Sequence, residues 1–313
     1  MPAILTLTPN PALDVFTSTP RVQPEHKLRC TAPLLHPGGG GINVARVLAR
    51  LGTDVLALFP AGGLTGGRLQ ALLEAEQVPN EVLPIAGETR ESFSAHEEAS
   101  GQDFRFVLPG PLLSESEWQA CLERACQLRP TSGLVVASGS LPPGAPADFY
   151  ARLARRLAED GRRLVLDSSG APLASALDVG VHLVKPSLRE LQEWTGASLQ
   201  TQAQRRAACE ALVRSGKAAI VALSLGPEGA LLVSERGAWQ APALPVPVVS
   251  TIGAGDSFLA GLVFALASGR ELPEALRTAL AASAAALLSG GTALCQPQDL
   301  ARLAPQVEIR PLA

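Results

Sequence analysis

Residues 250–267 read STIGAGDSFLAGLVFALA. From Phe258 onward apolar side chains recur at helical spacing, so the two glycines form a turn just ahead of a helix and Asp256 falls in its first turn. Asp and Ser complement the exposed N–H groups and the positive end of a helix dipole, so a carboxylate there needs no function on its own account. A cap needs neither glycine, whereas a loop whose backbone must come close to an anion needs both. The N–H groups of Gly253, Ala254 and Gly255 can then stabilise charge on a phosphoryl group in transfer while Asp256 accepts a hydroxyl proton beside them. Just upstream, APALPVPVV (241–249) reads as an edge strand delivered to the loop at Ser250.

Outward from this junction, short β-branched runs alternate with longer helical patterns, the signature of repeated βα units on a parallel sheet. Strands are expected near 3–7, 54–59, 134–138, 163–167, 181–184 and 219–224. Helices are expected at 42–51, 66–76, 115–127, 147–159, 188–194, 203–215, 255–268 and 273–289, the last two ended by SGR and SGG. Two regions, 12–36 and 88–108, break the rhythm. SFSAHEEA and DFRFVL, joined by SGQ, read as a β-hairpin, and together the two regions form a small sheet where a lid would stand. The whole is a doubly wound α/β architecture.

A second glycine-rich lead-in to a helix lies at 37–52, PGGGGINVARVLARLG. It fails as a dinucleotide fingerprint, because Asn43 stands where the third glycine belongs, and no G-x-x-x-x-G-K-[ST] phosphate loop occurs in the chain. What remains is a run of exposed N–H groups plus the Asn43 amide, suited to a polyhydroxylated ligand. Asp14 follows a proline-punctuated loop after the first strand, the edge at which open α/β sheets bind ligands, and a carboxylate there can accept two sugar hydroxyls. Lys27, Arg29, Arg90 and Arg105 all fall in the lid regions, where they suggest a grip on a phosphorylated substrate. Ser187 and Glu190, after the strand that ends near Lys185, have the spacing of a capping box. VALSLGPEGALLV at 221–233 is a hairpin, two strands around a Gly-Pro-Glu-Gly turn.

Composition excludes several classes of partner. The chain has 313 residues, 47% hydrophobic but only 4% aromatic, so its interior is mainly Ala, Leu and Val, as in helices packed on parallel sheets. A formal charge of −3 offers no field for a nucleic-acid backbone. Five scattered cysteines without a C-x-x-C pair read as free thiols, and the four histidines lack metal-ligand spacing. No basic leader and no apolar run of roughly 18 residues appears, so neither secretion nor membrane insertion is expected, and the expected compartment is the cytoplasm.

GGGGINVARVLARLG (38–52) and TIGAGDSFLAGL (251–262) resemble the two signatures of the ribokinase-like sugar kinases, the phosphofructokinase B family, and their spacing covers nearly the whole chain. KLRCTAP (27–33), FPAGG (59–63), EASG (98–101), RFV (105–107), SGSLPPG (138–144), LVKP (183–186) and TALC (292–295) are similar to the branch that phosphorylates fructose 6-phosphate. The resemblance implies one three-layer α/β/α domain over 1–313 with a β lid that serves as a homodimer interface. It implies transfer of the ATP γ-phosphoryl group to the sugar 1-hydroxyl, with Asp256 as general base and the Gly253–Gly255 backbone as anion hole. Asp14, Gly39 and Asn43 would hold sugar hydroxyls, and Lys27, Arg90 and Arg105 phosphate, with Ser140 nearby. Lys185, Ser224, Gly226 and Gly229 would line the ATP side. Glu190 would position Mg2+ through water, and carbonyls around Ser250, Ile252, Ala286, Ser289 and Gly291 match a K+ site of relatives. Ser187 departs from the family's Asn in the metal motif; it retains one hydroxyl but lacks the amide's second group. The competing expectations are a kinase of fructose 1-phosphate or tagatose 6-phosphate on the same scaffold, or a sensor without catalysis. Gly40, where those other kinases often carry Lys, favours fructose 6-phosphate, and an intact Asp256 with its glycines favours catalysis.

Overall fold

The computed structural model describes residues 3–312. The chain begins with β1 (Ile4–Leu7), β2 (Ala12–Thr19), β3 (Leu34–Gly38), α1 (Gly40–Arg50), β4 (Val55–Ala61), α2 (Gly63–Ala75), β5 (Asn80–Pro84), β6 (Arg90–Glu97) and β7 (Gln102–Val107). It continues through α3 (Glu115–Gln127), β8 (Leu134–Ser138), α4 (Phe149–Ala158), β9 (Arg163–Asp167), α5 (Gly170–Val179), β10 (Val181–Val184), α6 (Leu188–Thr195), α7 (Gln202–Arg214) and β11 (Ala218–Ser224). β12 (Ala230–Ser234), β13 (Gly237–Ala241), α8 (Ala254–Ala267), α9 (Leu272–Leu287), α10 (Pro297–Leu303) and β14 (Arg310–Leu312) complete it.

Among the described residues the main sheet has ten strands in the order β14-β13-β12-β11-β10-β9-β8-β1-β4-β5. From β11 to β5 neighbours run parallel, and the last three strands add on antiparallel. Successive side chains of the parallel strands enter opposite cores. Ile4, Val55, Ala57 and Val136 face α1, α2, α8 and α9, whereas Leu5, Leu7, Leu58 and Val135 face α3, α4, α5 and α7. That two-sided burial explains why these strands read as unbroken apolar runs and fixes the three-layer α/β/α architecture. Small residues set the spacing of the outer layer: a Cβ on Gly261 of α8 would lie 2.8 Å from the Thr278 carbonyl of α9. With so few aromatic residues, the core is filled by close approach of Ala-rich helices.

A separate four-stranded sheet, in the order β3-β2-β6-β7, stands over the carboxyl ends of the parallel strands. β6 and β7 form the expected antiparallel hairpin, with Ser94 opposite Arg105. Residues 20–33 form no strand, so the irregular half of the first lid region carries Lys27 and Arg29 on an exposed loop. The outer face keeps Phe93 and Phe106 exposed. No helix of the described residues is long and apolar enough to cross a membrane.

The expected edge strand at 241–249 is corrected: β13 ends at Ala241, and 242–250 run without regular structure to Ser250. Pro242, Pro245 and Pro247 leave too few N–H donors for a ladder. β5, α5, β13, β14 and α10 are elements that the sequence reading did not contain.

Candidate active site

Gly253 caps α8 with φ 77°, a left-handed conformation in which a Cβ would also collide with the Leu294 side chain. The turn delivers Asp256 to the floor of a cleft of about 250 Å3 between the main sheet and the lid. Asn43, buried in α1, donates from Nδ2 to Asp256 Oδ2 at 2.8 Å. Burial raises the Asp256 pKa above the usual carboxylate range, opposed by the Asn43 hydrogen bond and by Lys185, Arg105 and Arg46. A carboxylate so placed is a stronger base than a free one and remains held by an amide.

The cleft contains a second carboxylate that the sequence reading missed. Asp167, the last residue of β9, lies 3.1 Å from Lys185 Nζ and accepts from Ser138 Oγ at 3.2 Å. Burial pushes its pKa up to about 6 despite the lysine, and the Asp256 charge adds to the rise. Burial opposes the charge on Lys185, but Asp167, Asp256 and Glu190 together hold its pKa above the ordinary value. Lys185 also reaches the glycine turn, since a Cβ on Gly255 would lie 3.7 Å from its Nζ. The available signal was position: an Asp at the carboxyl end of an anticipated parallel strand, on the edge where such sheets bind ligands.

On the lid side, Asp14 projects from β2 into the same cleft, 9% exposed, with its pKa pushed up to about 6 by burial against the pull of Arg105. Any side chain at Gly38 would take the place of the Asp14 carboxyl group. Arg90 of β6 donates to three carbonyls, Asn10 at 2.9 Å, Leu108 at 3.0 Å and Pro11 at 3.4 Å, which aim its guanidinium along the cleft wall. Gly39, Asn43, Arg105 and Ser140, expected on the sugar side, line the same cleft, as does Glu190, expected at the metal, and Ser140 Oγ accepts from Asn10 Nδ2 at 3.2 Å. Lys27 is exposed and is absent from the cleft lining of this chain.

The capping box at α6 forms as anticipated: Ser187 N donates to Glu190 Oε2 at 2.7 Å and Glu190 N donates to Ser187 Oγ at 3.3 Å. Ser224, at the end of β11, bridges to Ser187, and Gly226 and Gly229 shape the turn that follows it. Glu190 reaches the cleft that holds Asp14 and Asp256, whereas Ser187, Ser224, Gly226 and Gly229 are absent from its lining. Behind Asp256, Val249 N donates to the Leu287 carbonyl at 2.8 Å, which joins the Ser250–Ile252 segment to the end of α9 at Ala286 and Ser289. Gly291 packs on Phe16 of the lid, 3.1 Å from where its Cβ would be. A larger cavity of about 560 Å3 opens at the amino ends of β9, β10 and β11 around Arg163, His182 and Arg236, remote from every residue above.

The arrangement therefore sets a buried carboxylate in the first turn of a helix, with a lysine close to that turn, in a cleft walled by two arginines. Residues 12–299 match the family model described as pfkB family carbohydrate kinase. The chain belongs to that family. It is 46% identical over 301 residues to an ATP-dependent 6-phosphofructokinase isozyme 2 of Mycobacterium tuberculosis, covering 96% of this chain and 88% of the relative. It is 43% identical over 304 residues to the protein of the same name from Escherichia coli, covering 97% and 98%. The crystal structure of the Escherichia coli phosphofructokinase-2 in complex with fructose-6-phosphate superposes with a TM-score of 0.92 at 42% identity, over 98% of this chain and 99% of that one. The same enzyme has been solved with potassium and in a tetrameric inhibited form.

Proposed function

We propose that this pfkB family kinase is an ATP-dependent 6-phosphofructokinase that phosphorylates the 1-hydroxyl of fructose 6-phosphate. The observation that carries the reading is the pairing of Asn43 with Asp256 in a cleft whose far wall is Arg90 and Arg105. Asp256 takes the 1-hydroxyl proton as that oxygen bonds to the γ-phosphorus and the bond to the ADP oxygen breaks. Gly253, Ala254 and Gly255 offer backbone N–H groups to the transferring charge, and Lys185, beside Gly255, balances it. Asp14, Gly39 and Asn43 orient the sugar hydroxyls. Arg90 and Arg105, with Ser140, receive the 6-phosphate, and Lys27 reaches phosphate from the exposed loop or from a second copy of the chain.

Ser224, Gly226 and Gly229 border the nucleotide. Glu190 and Asp167 are hard oxygen donors suited to Mg2+ held mainly by ATP phosphates and water, and no cluster of three ligating side chains forms a dedicated cage among the described residues. When bound, the metal supplies charge neutralisation on the β- and γ-phosphates. Carbonyls near Ser250, Ile252, Ala286, Ser289 and Gly291 suit K+. The chain is one kinase domain whose lid pairs two copies through the face that bears Phe93 and Phe106, and it works in the cytoplasm.

The substrate assignment against fructose 1-phosphate and tagatose 6-phosphate is supported by Gly40, where any side chain would meet Ser138 Oγ. The test is kcat/KM of the purified protein with ATP and magnesium on fructose 6-phosphate, fructose 1-phosphate, tagatose 6-phosphate and fructose. A preference for fructose 6-phosphate is expected; preference for another phosphosugar overturns the substrate and keeps the mechanism.

A further inference from the structure

Arg46 is the largest side chain fully enclosed in the described protein, with 0% exposure in the middle of α1. An unpaired guanidinium in such a place would be prohibitively unfavourable, and in this one each of the three nitrogens donates a hydrogen bond. Nε donates to both Glu76 carboxylate oxygens at 3.1 and 2.9 Å, and Nη2 to Oε1 at 2.6 Å. Nη1 donates to the carbonyls of Pro37 and Thr292, both at 3.1 Å, and to Asn43 Oδ1 at 3.3 Å. The last contact matters most, because the other end of the same amide donates to Asp256. Turning the Asn43 amide over would point its NH2 at the guanidinium and its oxygen at the carboxylate, which is repulsive at both ends.

We propose that Arg46 is a positioning residue for phosphoryl transfer, locking the Asn43 amide in the one orientation that donates to the base Asp256. An arginine suits this role since it cannot lose its proton and presents several donors in a rigid fork. Glu76 acts one step further out: its carboxylate is shared with Arg50 Nη2 at 3.0 Å, and Arg50 Nη1 in turn holds the Ala293 carbonyl at 2.5 Å. The two arginines thereby fasten α1 to residues 292–293, the segment that follows Gly291 and leads to Leu294 against Gly253. The charged groups facing Asp256 are Lys185, Arg105 and Arg46, with Asp14 and Asp167 opposing and Glu190 beyond Lys185.

The inference rests on the reading of Asp256 as the base, and the experiment separates the two. Arg46→Met and the double variant Arg46→Met with Glu76→Met are made in the full chain; the double variant removes both partners, a change that leaves packed cores nearly as stable. Turnover of fructose 6-phosphate is compared with that of Asn43→Ala, alone and combined with Arg46→Met. Loss of an oriented hydrogen bond to a charged group lowers kcat about 10- to 100-fold, with the sugar KM changed less than about threefold. The acid limb of the kcat profile moves to higher pH, and Arg46→Met adds less than about threefold on the Asn43→Ala background. A folded double variant with kcat within about threefold of wild type overturns the proposal, as does a full additional loss on the Asn43→Ala background. In parallel, the Asn43 side-chain amide signal, assigned by its disappearance in Asn43→Ala, is followed by NMR hydrogen exchange: slow in wild type and fast in the double variant as expected, or slow in both, which overturns the proposal. Because this second readout needs no turnover, a wild type inactive on every sugar would defeat the proposed function while the amide still decides the role of Arg46.

Discussion

The two ends of the cleft are built on different terms. At the floor, Asp256, Asn43, Lys185 and Asp167 sit on elements packed on all sides, and their hydrogen bonds and ion pairs run into the interior. At the rim, Arg90 and Arg105 sit on a thin sheet whose other face is open, with Phe93 and Phe106 in solvent. A rigid support of the first kind keeps reacting groups within the tight tolerances that chemistry needs, and a lightly packed sheet of the second kind can shift as substrate enters. On the proposed function, chemistry and recognition fall to parts of the molecule with different local packing.

The sharpest way to break the contrast is at the floor. Asp256→Asn is expected to lower kcat by about a thousandfold or more while fructose 6-phosphate binds nearly as before, because general-base catalysis is worth roughly 100- to 10,000-fold and the charge is lost as well. Calorimetric titration with the sugar, beside steady-state assays, checks both halves; residual activity above about a thousandth of wild type would remove Asp256 as base. At the rim the reverse pattern is expected. Arg90→Ala should cost about 10- to 100-fold in kcat/KM for fructose 6-phosphate and less than about threefold for fructose, since only the phosphosugar uses the charge. Equal losses on the two substrates would take Arg90 off the phosphate.

Asp14, between floor and rim, tests whether binding is obtained at the expense of stability. Its pKa is about 6 in the folded protein, against roughly 3.9 for an unperturbed Asp, so the folded state binds the extra proton between about pH 4 and 6. Stability from this group therefore falls as pH rises through that window, and the penalty is complete above it. Asp14→Asn should raise unfolding free energy at pH 7 by about 1 to 3 kcal/mol, with no gain below about pH 4, while weakening sugar binding. Urea unfolding at pH 4, 5, 6 and 7 measures this; a variant less stable than wild type at pH 7 would contradict it. The smallest effect is expected at the nucleotide side. Ser187→Asn keeps a good helix cap, changing stability by less than about 0.5 kcal/mol, and shifts half-maximal Mg2+ downward about two- to fivefold. A magnesium titration with no shift would show that the serine costs the metal site nothing.

The glycine turn, the glycine run on α1 and the alternation of strand and helix were all legible because each is a local pattern with its own spacing. α5 was not anticipated; Gly170 and Pro172 in its first turn are residues that favour turns, although proline is tolerated near a helix start. Pro-rich 242–249 erred the other way, since apolar content suggested a strand that its missing donors forbid. Asp167 belongs to no motif, and Arg46, although it stands inside the glycine-led signature at 38–52, was given no role there. Both get their meaning from partners distant in sequence, although an arginine set among eight consecutive buried positions of α1 is itself a sign that something must neutralise it.

The bond between Asn43 and Asp256 spans 213 positions of the chain, and the Arg46 contact with Thr292 spans 246. Contacts so far apart close late, because a long loop must be ordered before they repay its entropy. A nascent chain emerging amino end first can pair β1 with β4 and build the lid while α8 and residues 292–293 are still being made. During synthesis, then, the wall that carries Asp14 and Arg90 can form before Asp256 exists to face it, and on the proposed function the chain becomes able to spend ATP only when nearly all of its sequence is in place.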